Sequence, residues 1–316
     1  MTDRLPHRLR EVSTVGVYSP SGAFADAPDK LAHYNAGLEK LRSLGLTVVE
    51  AENAHGAWHH ASGTPQQRVA DLRQLLNHPE VDLIVPSIGG HVTSQMLPLL
   101  DFEEIAASGK ALMGFSDNAL LPLLLADRTG TIGVHHCADV TFGFGLFAEG
   151  LYPLSLRSFT EMTRGRFDLT GSGGWRGLQT GKASGRLLGG NLKGLTSLAG
   201  TPWWPDWSGS VLFWESTDPL HAVCQHLTQL SNAGVFDRIS GMIIGRVSTL
   251  TETFYPPERV LPVADLLLDV LGLRGRFPIV LEADLGHNVD NVAVPVGADA
   301  VLDVTDETVT CDLTYT

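Results

Sequence analysis

Three polar residues each lie just past an apolar run: Ser116 after "ALMGF", Glu215 closing "VLFW", and His287 after "IVLEADLG". In α/β sheets, reactive groups collect where strands end and loops begin. A serine, a base and a carboxylate that orients the base make a hydrolytic triad. The imidazole takes the serine proton, and the carboxylate holds its tautomer and favours the imidazolium that forms. Each residue also has a plain structural role open to it. Ser116 precedes a helical pattern and serine is a leading N-cap residue. Glu215 could be a solvated strand end, and His287, between glycine and asparagine, an ordinary turn residue. No two of the three are local in sequence, so their types and spacing leave both readings open. "PSIGGH" adds Gly89 and Gly90 at another strand end. Glycines there let backbone N–H groups approach a developing oxyanion, with the Asp117 amide as a second donor; two convergent donors lower a barrier by ~3 kcal/mol or more. A tight turn is the competing explanation.

The elements that must carry these residues are legible as a β/α alternation. "STVGVYSPSG", "LTVVEAE", "VDLIVPSIGG" and "KALMGF" read as strands. "LAHYNAGLEKLRSLG", "TPQQRVADLRQLLNHP" and "NALLPLLLADRTG" read as helices, the second with Thr64 as N-cap, Pro65 in its first turn and Gln67 at the capping-box position. Strands alternating with helices predict an α/β layer with a parallel sheet. The stretch "RGRFDLTGSGGWRGLQTGKASGR" is rich in Gly, Ser and Arg and reads as a linker. A second strand–helix series follows in "GSVLFWES", "HAVCQHLTQLSNAG", "ISGMIIGRV", "VADLLLDVLG" and "FPIVLEADLGH". "VAVPVGADAVLDVTDETVTCDL" then alternates as an antiparallel edge. The expected division is a first α/β domain over residues 1–150, a linker or substrate loop over 151–184, and a second domain over 185–316.

Composition narrows the function classes. The 316 residues carry a net charge of −13, with basic residues scattered rather than clustered, which argues against a nucleic-acid or anionic-membrane surface. Cys137, Cys224 and Cys311 lie far apart with no CxxC, as in a reducing compartment. No apolar run reaches the roughly 18 residues of a membrane helix, and no apolar segment precedes the first strand. The expectation is a cytoplasmic protein without a membrane partner. His55, His59, His60, His135 and His136 could suggest zinc, but there is no HExxH and no paired cysteine spacing, so no metal and no cofactor are expected. Cys137 beside His136 is a poor nucleophile pair, because adjacent strand residues face opposite ways. A non-catalytic two-domain binding protein is the alternative from another class.

Four ordered segments resemble the LD-carboxypeptidase family, the S66 group of serine peptidases. These are "ASGTPQQRVADLRQLLNHPEVDLIVPSIGG", "LLDFEEIAASGKALMGFSDNALL", "GRLLGGNLKGLTSLAGTPWWPDWSGSVLFWES" and "GHNVDNVAVPVGADAVLD". The resemblance implies a Rossmann-like N-terminal domain, a C-terminal β/α domain and an active site between them, in a homodimer. It assigns Ser116 as nucleophile, Glu215 as acid and His287 as base, with the amides of Gly90 and Asp117 as the oxyanion hole. "SIGGH" lacks the Arg-Gly-Gly start common in muropeptide enzymes and looks more like the microcin C immunity type. In that type a tryptophan stacks on a nucleotide base; Trp175 matches it, with Gly89 also at the substrate. The expected substrate is a small peptide or a peptidyl- or aminoacyl-nucleotide. A murein tetrapeptide losing its terminal D-alanine is the alternative.

Overall fold

A computed structural model describes residues 4–170, 173–247, 255 and 259–315. The chain divides into two compact units, residues 1–168 with 291–297 and 315–316, and residues 169–290 with 298–314. The first opens with β1 (Thr14–Tyr18), α1 (Pro28–Ser43), β2 (Thr47–Glu50), α2 (Pro65–Asn77) and β3 (Leu83–Pro86). It continues through α3 (Phe102–Ala107), β4 (Ala111–Gly114), α4 (Leu120–Thr129), β5 (Gly133–His135), α5 (Gly145–Ala148) and α6 (Pro153–Met162). The second unit holds β6 (Arg176–Gln179), β7 (Gly181–Asn191), α7 (Leu192–Ser197), β8 (Val211–Glu215), α8 (Leu220–Asn232), β9 (Gly241–Gly245), α9 (Val263–Asp265) and β10 (Ile279–Ala283). The chain then returns to the first unit as β11 (Val294–Val296), before β12 (Asp299–Val304) and β13 (Val309–Thr314) close the second.

Among the described residues the first sheet runs β11-β5-β4-β3-β1-β2, parallel except for β11. The order 2-1-3-4-5 is a doubly wound one, and its switch point lies between β1 and β3. Strands β1, β3 and β4 are buried along their whole length, as apolar runs covered on both faces must be. The loops that leave their carboxyl ends carry Ser21, Gly89 with Gly90, and Ser116, so the switch-point rule puts the candidate residues where ligands collect.

The second sheet runs β13-β12-β7-β8-β9-β10-β6. β7 to β10 are parallel neighbours, while β12, β13 and β6 pair antiparallel. β6 and β7 stand four strand spacings apart in that order, about 19 Å in a flat sheet. Gln179 and Gly181 are two residues apart, which allows about 7 Å at most. The sheet therefore curls on itself, and a Cβ at Gly177 of β6 would lie 2.7 Å from Val304 Cγ1 of β12.

The stretch 151–184 contains more than its composition suggests. α6 belongs to the first unit, the division follows Asp168, and β6 with the start of β7 belongs to the second. Residues 171 and 172, within it, lie outside the described residues. Gly, Ser and Arg side chains mark no strand, and the pairing of β6 with β10 and of β7 with β12 supplies the hydrogen bonds instead. Among the described residues no helix is long and apolar enough to cross a membrane.

α2 forms as its sequence requires. Thr64 accepts from the Gln67 amide, the Gln67 side chain answers the Thr64 amide, and Pro65 occupies the first turn. That helix carries Arg68, which is 1% exposed and braces the loops at the switch point. Its guanidinium donates to the carbonyls of Gly63 (3.1 Å), Pro20 (2.7 Å) and Val92 (2.9 Å) and to Gln95 Oε1 (2.7 Å). Removing the guanidinium leaves these acceptors buried and unanswered. Arg68→Met is therefore expected to cost about 3 kcal/mol or more, read as a lower urea midpoint at unchanged m value. A midpoint equal to wild type would show that the loops hold without it.

Candidate active site

Ser116 opens a single 3-10 turn, Ser116–Ala119, between β4 and α4. Its φ is +54°, the left-handed region that a residue with a side chain occupies only when its surroundings impose it. Ser116 supplies no helix-capping geometry, since the cap position falls to Phe115 and makes no side-chain cap bond. A strained serine on a sharp strand-to-helix turn is how a hydroxyl is pushed clear of a sheet. Gly89 lies directly against it: a Cβ there would stand 3.2 Å from Ser116 Cβ and 3.3 Å from Oγ. At Gly90 a Cβ would collide with Ser21 Oγ and the Gly22 backbone, so close approach demands glycine there, while at Gly89 it would crowd Ser116. The Gly22 amide donates to the Gly89 carbonyl at 3.0 Å and ties the β1 loop to the β3 loop.

The residues after Ser116 hold that turn in place. Asp117 Oδ2 accepts from the Ser21 hydroxyl (2.6 Å), the Thr93 amide (2.8 Å) and the Thr93 hydroxyl (2.7 Å). Asn118 donates to the Ile88 carbonyl at 2.9 Å and presents Oδ1 to the Thr93 hydroxyl at 2.8 Å. Burial weighs against the charge on Arg68 and lowers its pKa, and the Asp117 carboxylate offsets part of that effect. In the sequence Asp117 is marked only by its amide and its place at a helix start, and Ser21, Arg68, Thr93 and Asn118 carry no expected role. Their types are ordinary for turns and helix faces, so composition alone carries no mark of the network.

In the second unit, Glu215 ends β8 and is fully buried. Its Oε2 lies 2.8 Å from His287 Nδ1. An ionised carboxylate only accepts, so Nδ1 is the donor, and in a neutral ring of that tautomer Nε2 is the basic nitrogen. Oε1 accepts from Asn191 Nδ2 at 2.9 Å, while Asn191 Oδ1 caps α7 by accepting from the Gly194 amide at 3.3 Å. The β7–β8 register places Asn191 directly beside Glu215. Asn191 belongs to the "GGNL" segment, which was legible as a motif but not as a partner of the carboxylate. The loop bearing His287 is fixed by Gly286, whose φ of +143° lets it pack on the Arg246 carbonyl, and by the Arg246–Asp284 ion pair at 2.9 Å.

Trp175 sits immediately before β6 and is half-buried rather than exposed, with its indole Nε1 shielded from water. In "TPWWPDW", Trp207 is buried and meets Trp204 edge to face at 5.9 Å, which is packing around a turn. The histidines considered as zinc ligands separate: His135 and His136 are buried at the end of β5, His59 and His60 are exposed, and His55 bonds Glu50 at 2.7 Å. Among the described residues no group of three His, Cys, Asp or Glu side chains comes together as a metal site.

A doubly wound sheet with Ser116 in left-handed backbone past the end of β4, and a curled sheet with a buried Glu215 carboxylate meeting His287, define a two-domain α/β class. Residues 15–136 match the LD-carboxypeptidase N-terminal domain and residues 184–302 the LD-carboxypeptidase C-terminal domain; the chain belongs to this peptidase family. A Streptomyces coelicolor protein named as a carboxypeptidase is 32% identical, covering 97% of this chain and 96% of its own. A Bacillus subtilis protein named as a murein peptide carboxypeptidase is 29% identical over 96% and 92%. The Escherichia coli microcin C7 self-immunity protein is 26% identical over 92% and 90%. The fold is shared with a solved Bacillus anthracis protein like that immunity protein, at TM-score 0.84 and 21% identity, each chain covered to 99%. A solved muramoyltetrapeptide carboxypeptidase of Oxalobacter formigenes follows at 0.77 and 25%, covering 95% of this chain and 98% of its own.

His136 sets a pH dependence of stability. Burial pushes its imidazole down to about 3, with His135 adding to the effect. Below the unfolded value of 6.5, the unfolded chain takes up a proton that the folded state refuses. The contribution is complete above that value and is lost as pH falls from 6.5 to about 3. Urea midpoints at pH 7, 5 and 4 are expected to fall less steeply for His136→Gln than for wild type. Equal slopes would remove this residue from the account.

Proposed function

We propose that this chain is a serine peptidase in which Ser116, His287 and Glu215 act as one unit on an amide bond. The observation that carries the reading is the buried Glu215 carboxylate held 2.8 Å from His287 Nδ1, a geometry that prepares Nε2 to take a proton. The left-handed backbone of Ser116 against Gly89 supports the nucleophile's part. In this reading His287 removes the Ser116 proton as Oγ attacks the scissile carbonyl. The amides of Gly90 and Asp117 receive the oxyanion. His287 then hands the proton to the departing amine, and water enters by the same base to release the acid from the acyl-enzyme. Glu215 stays ionised throughout and stabilises the imidazolium.

Ser116→Ala, His287→Ala and Glu215→Ala are each expected to lower kcat at least about 10³-fold, and double variants to lose little more, because the members of a triad are not additive. A folded Ser116→Ala protein with near-normal turnover would end the serine mechanism.

For the substrate we infer an amide joining an amino acid or small peptide to a nucleotide. The Ser-Ile-Gly-Gly sequence at 87–90 and Trp175 support it. A solved microcin C7 self-immunity protein is recorded in complex with aspartyl sulfamoyl adenosine. The murein tetrapeptide is the second reading, favoured by the 29% identity to the Bacillus subtilis protein. Purified protein assayed side by side on aspartyl sulfamoyl adenosine and on murein tetrapeptide separates the two. On the first reading, Trp175→Ala weakens nucleotide binding by roughly 5- to 150-fold, the energy of one stacked base. Cleavage of the tetrapeptide alone would reverse the assignment.

A further inference from the structure

We propose that Thr93 is a positioning residue for the Ser116 turn, acting through Asp117 and Asn118; this rests on Ser116 being the nucleophile. Thr93 is fully buried and begins the 3-10 turn Thr93–Leu99, on the chain that leaves the Gly89–Gly90 loop. Both of its donors go to the residues that follow Ser116. The amide meets Asp117 Oδ2 at 2.8 Å, and the hydroxyl lies 2.7 Å from the same oxygen and 2.8 Å from Asn118 Oδ1. Which end of the Asn118 amide faces Thr93 is fixed by its other half, since Nδ2 donates to the Ile88 carbonyl. A hydroxyl has one proton, and here two acceptors share it. Asp117 and Asn118 are thereby drawn to a single point on the neighbouring loop.

This clamp has a task that packing alone does not explain. Ser116 holds a left-handed φ of +54°, which relaxes unless its neighbours over-determine it. The clamp begins one residue later. It also disposes of a carboxylate that would otherwise repel the negative charge developing beside Ser116, because three donors converge on Asp117 Oδ2. The third comes from Ser21, whose oxygen accepts from the Val92 amide at 3.1 Å and whose proton goes to Asp117. The loops after β1, β3 and β4 are thus locked to one oxygen atom. The sequence gap between these residues is 24 positions for Thr93 and Asp117 and 96 for Ser21 and Asp117, so no local pattern records the device.

The test uses the full chain and a rhodamine fluorophosphonate, which reports nucleophile reactivity without a peptide substrate. Thr93→Val keeps the shape and the amide but removes the hydroxyl; Thr93→Ser keeps the hydroxyl. Thr93→Val is expected to lower the maximal labelling rate about 10- to 100-fold, the scale of an ångström-sized misplacement, while half-saturation stays within about twofold. Thr93→Ser is expected to recover most of that loss. If Thr93→Val does not fold, Ser21→Ala is read in its place, since it takes another donor from the same oxygen. A wild-type rate in the folded hydroxyl-deleted variant overturns the proposal. So does an equal loss in Val and Ser variants that follows their melting temperatures. Labelling of Ser116→Ala at the wild-type rate would instead overturn the nucleophile assignment, which keeps the two failures apart.

Discussion

A carboxylate withdrawn from water must be met by donors, and both groups of candidate residues are organised by that requirement. Glu215 is wholly buried, with the Asn191 amide donating to one oxygen and the His287 ring meeting the other. Asp117 gathers three donors on one oxygen. In each case satisfying the charge also orients a neighbouring group. Glu215 fixes the tautomer and the plane of an imidazole, and Asp117 ties down the turn on which Ser116 is strained. The same electrostatic need that stabilises the fold leaves a hydroxyl and a ring nitrogen in defined places.

Strand ends supply the positions, and strand register supplies the pairings. In the first unit, parallel neighbours release their loops on one side of the sheet, so residues near positions 21, 89 and 116 meet although they are far apart in the chain. In the second, the parallel register of β7 and β8 sets Asn191 beside Glu215, and a one-residue slip would turn each side chain to the opposite face. Glycines mark the tight approaches. Gly89 admits the Ser116 side chain, and Gly286 admits the turn that presents His287.

Membership of the LD-carboxypeptidase family places the chain among peptidases. Its relatives include a protein named for murein peptides and another named for microcin immunity, at 29% and 26% identity. Trp175 is half-buried beside an edge strand, in a stretch that composition marks as loop.

Features that depend on local chemistry were legible before the fold was known. The capping box of α2, the apolar runs of β1, β3, β4 and β8, and the strand-end placement of Ser116, Glu215 and His287 were all readable, because each is set within a few residues. The motif resemblance singled out Ser116, Glu215 and His287 without their distances. Tertiary structure alone decided the rest. β6 and the start of β7 are strands because distant partners hydrogen-bond to them, not because Gly, Ser, Lys and Arg favour extension. Residues 291–297 leave the second unit to give the first sheet its antiparallel edge, which alternation could not distinguish from β12 and β13. Thr93, Ser21, Arg68 and Asn191 each make hydrogen bonds to residues at least 24 positions away, and only the folded chain brings such donors to their acceptors.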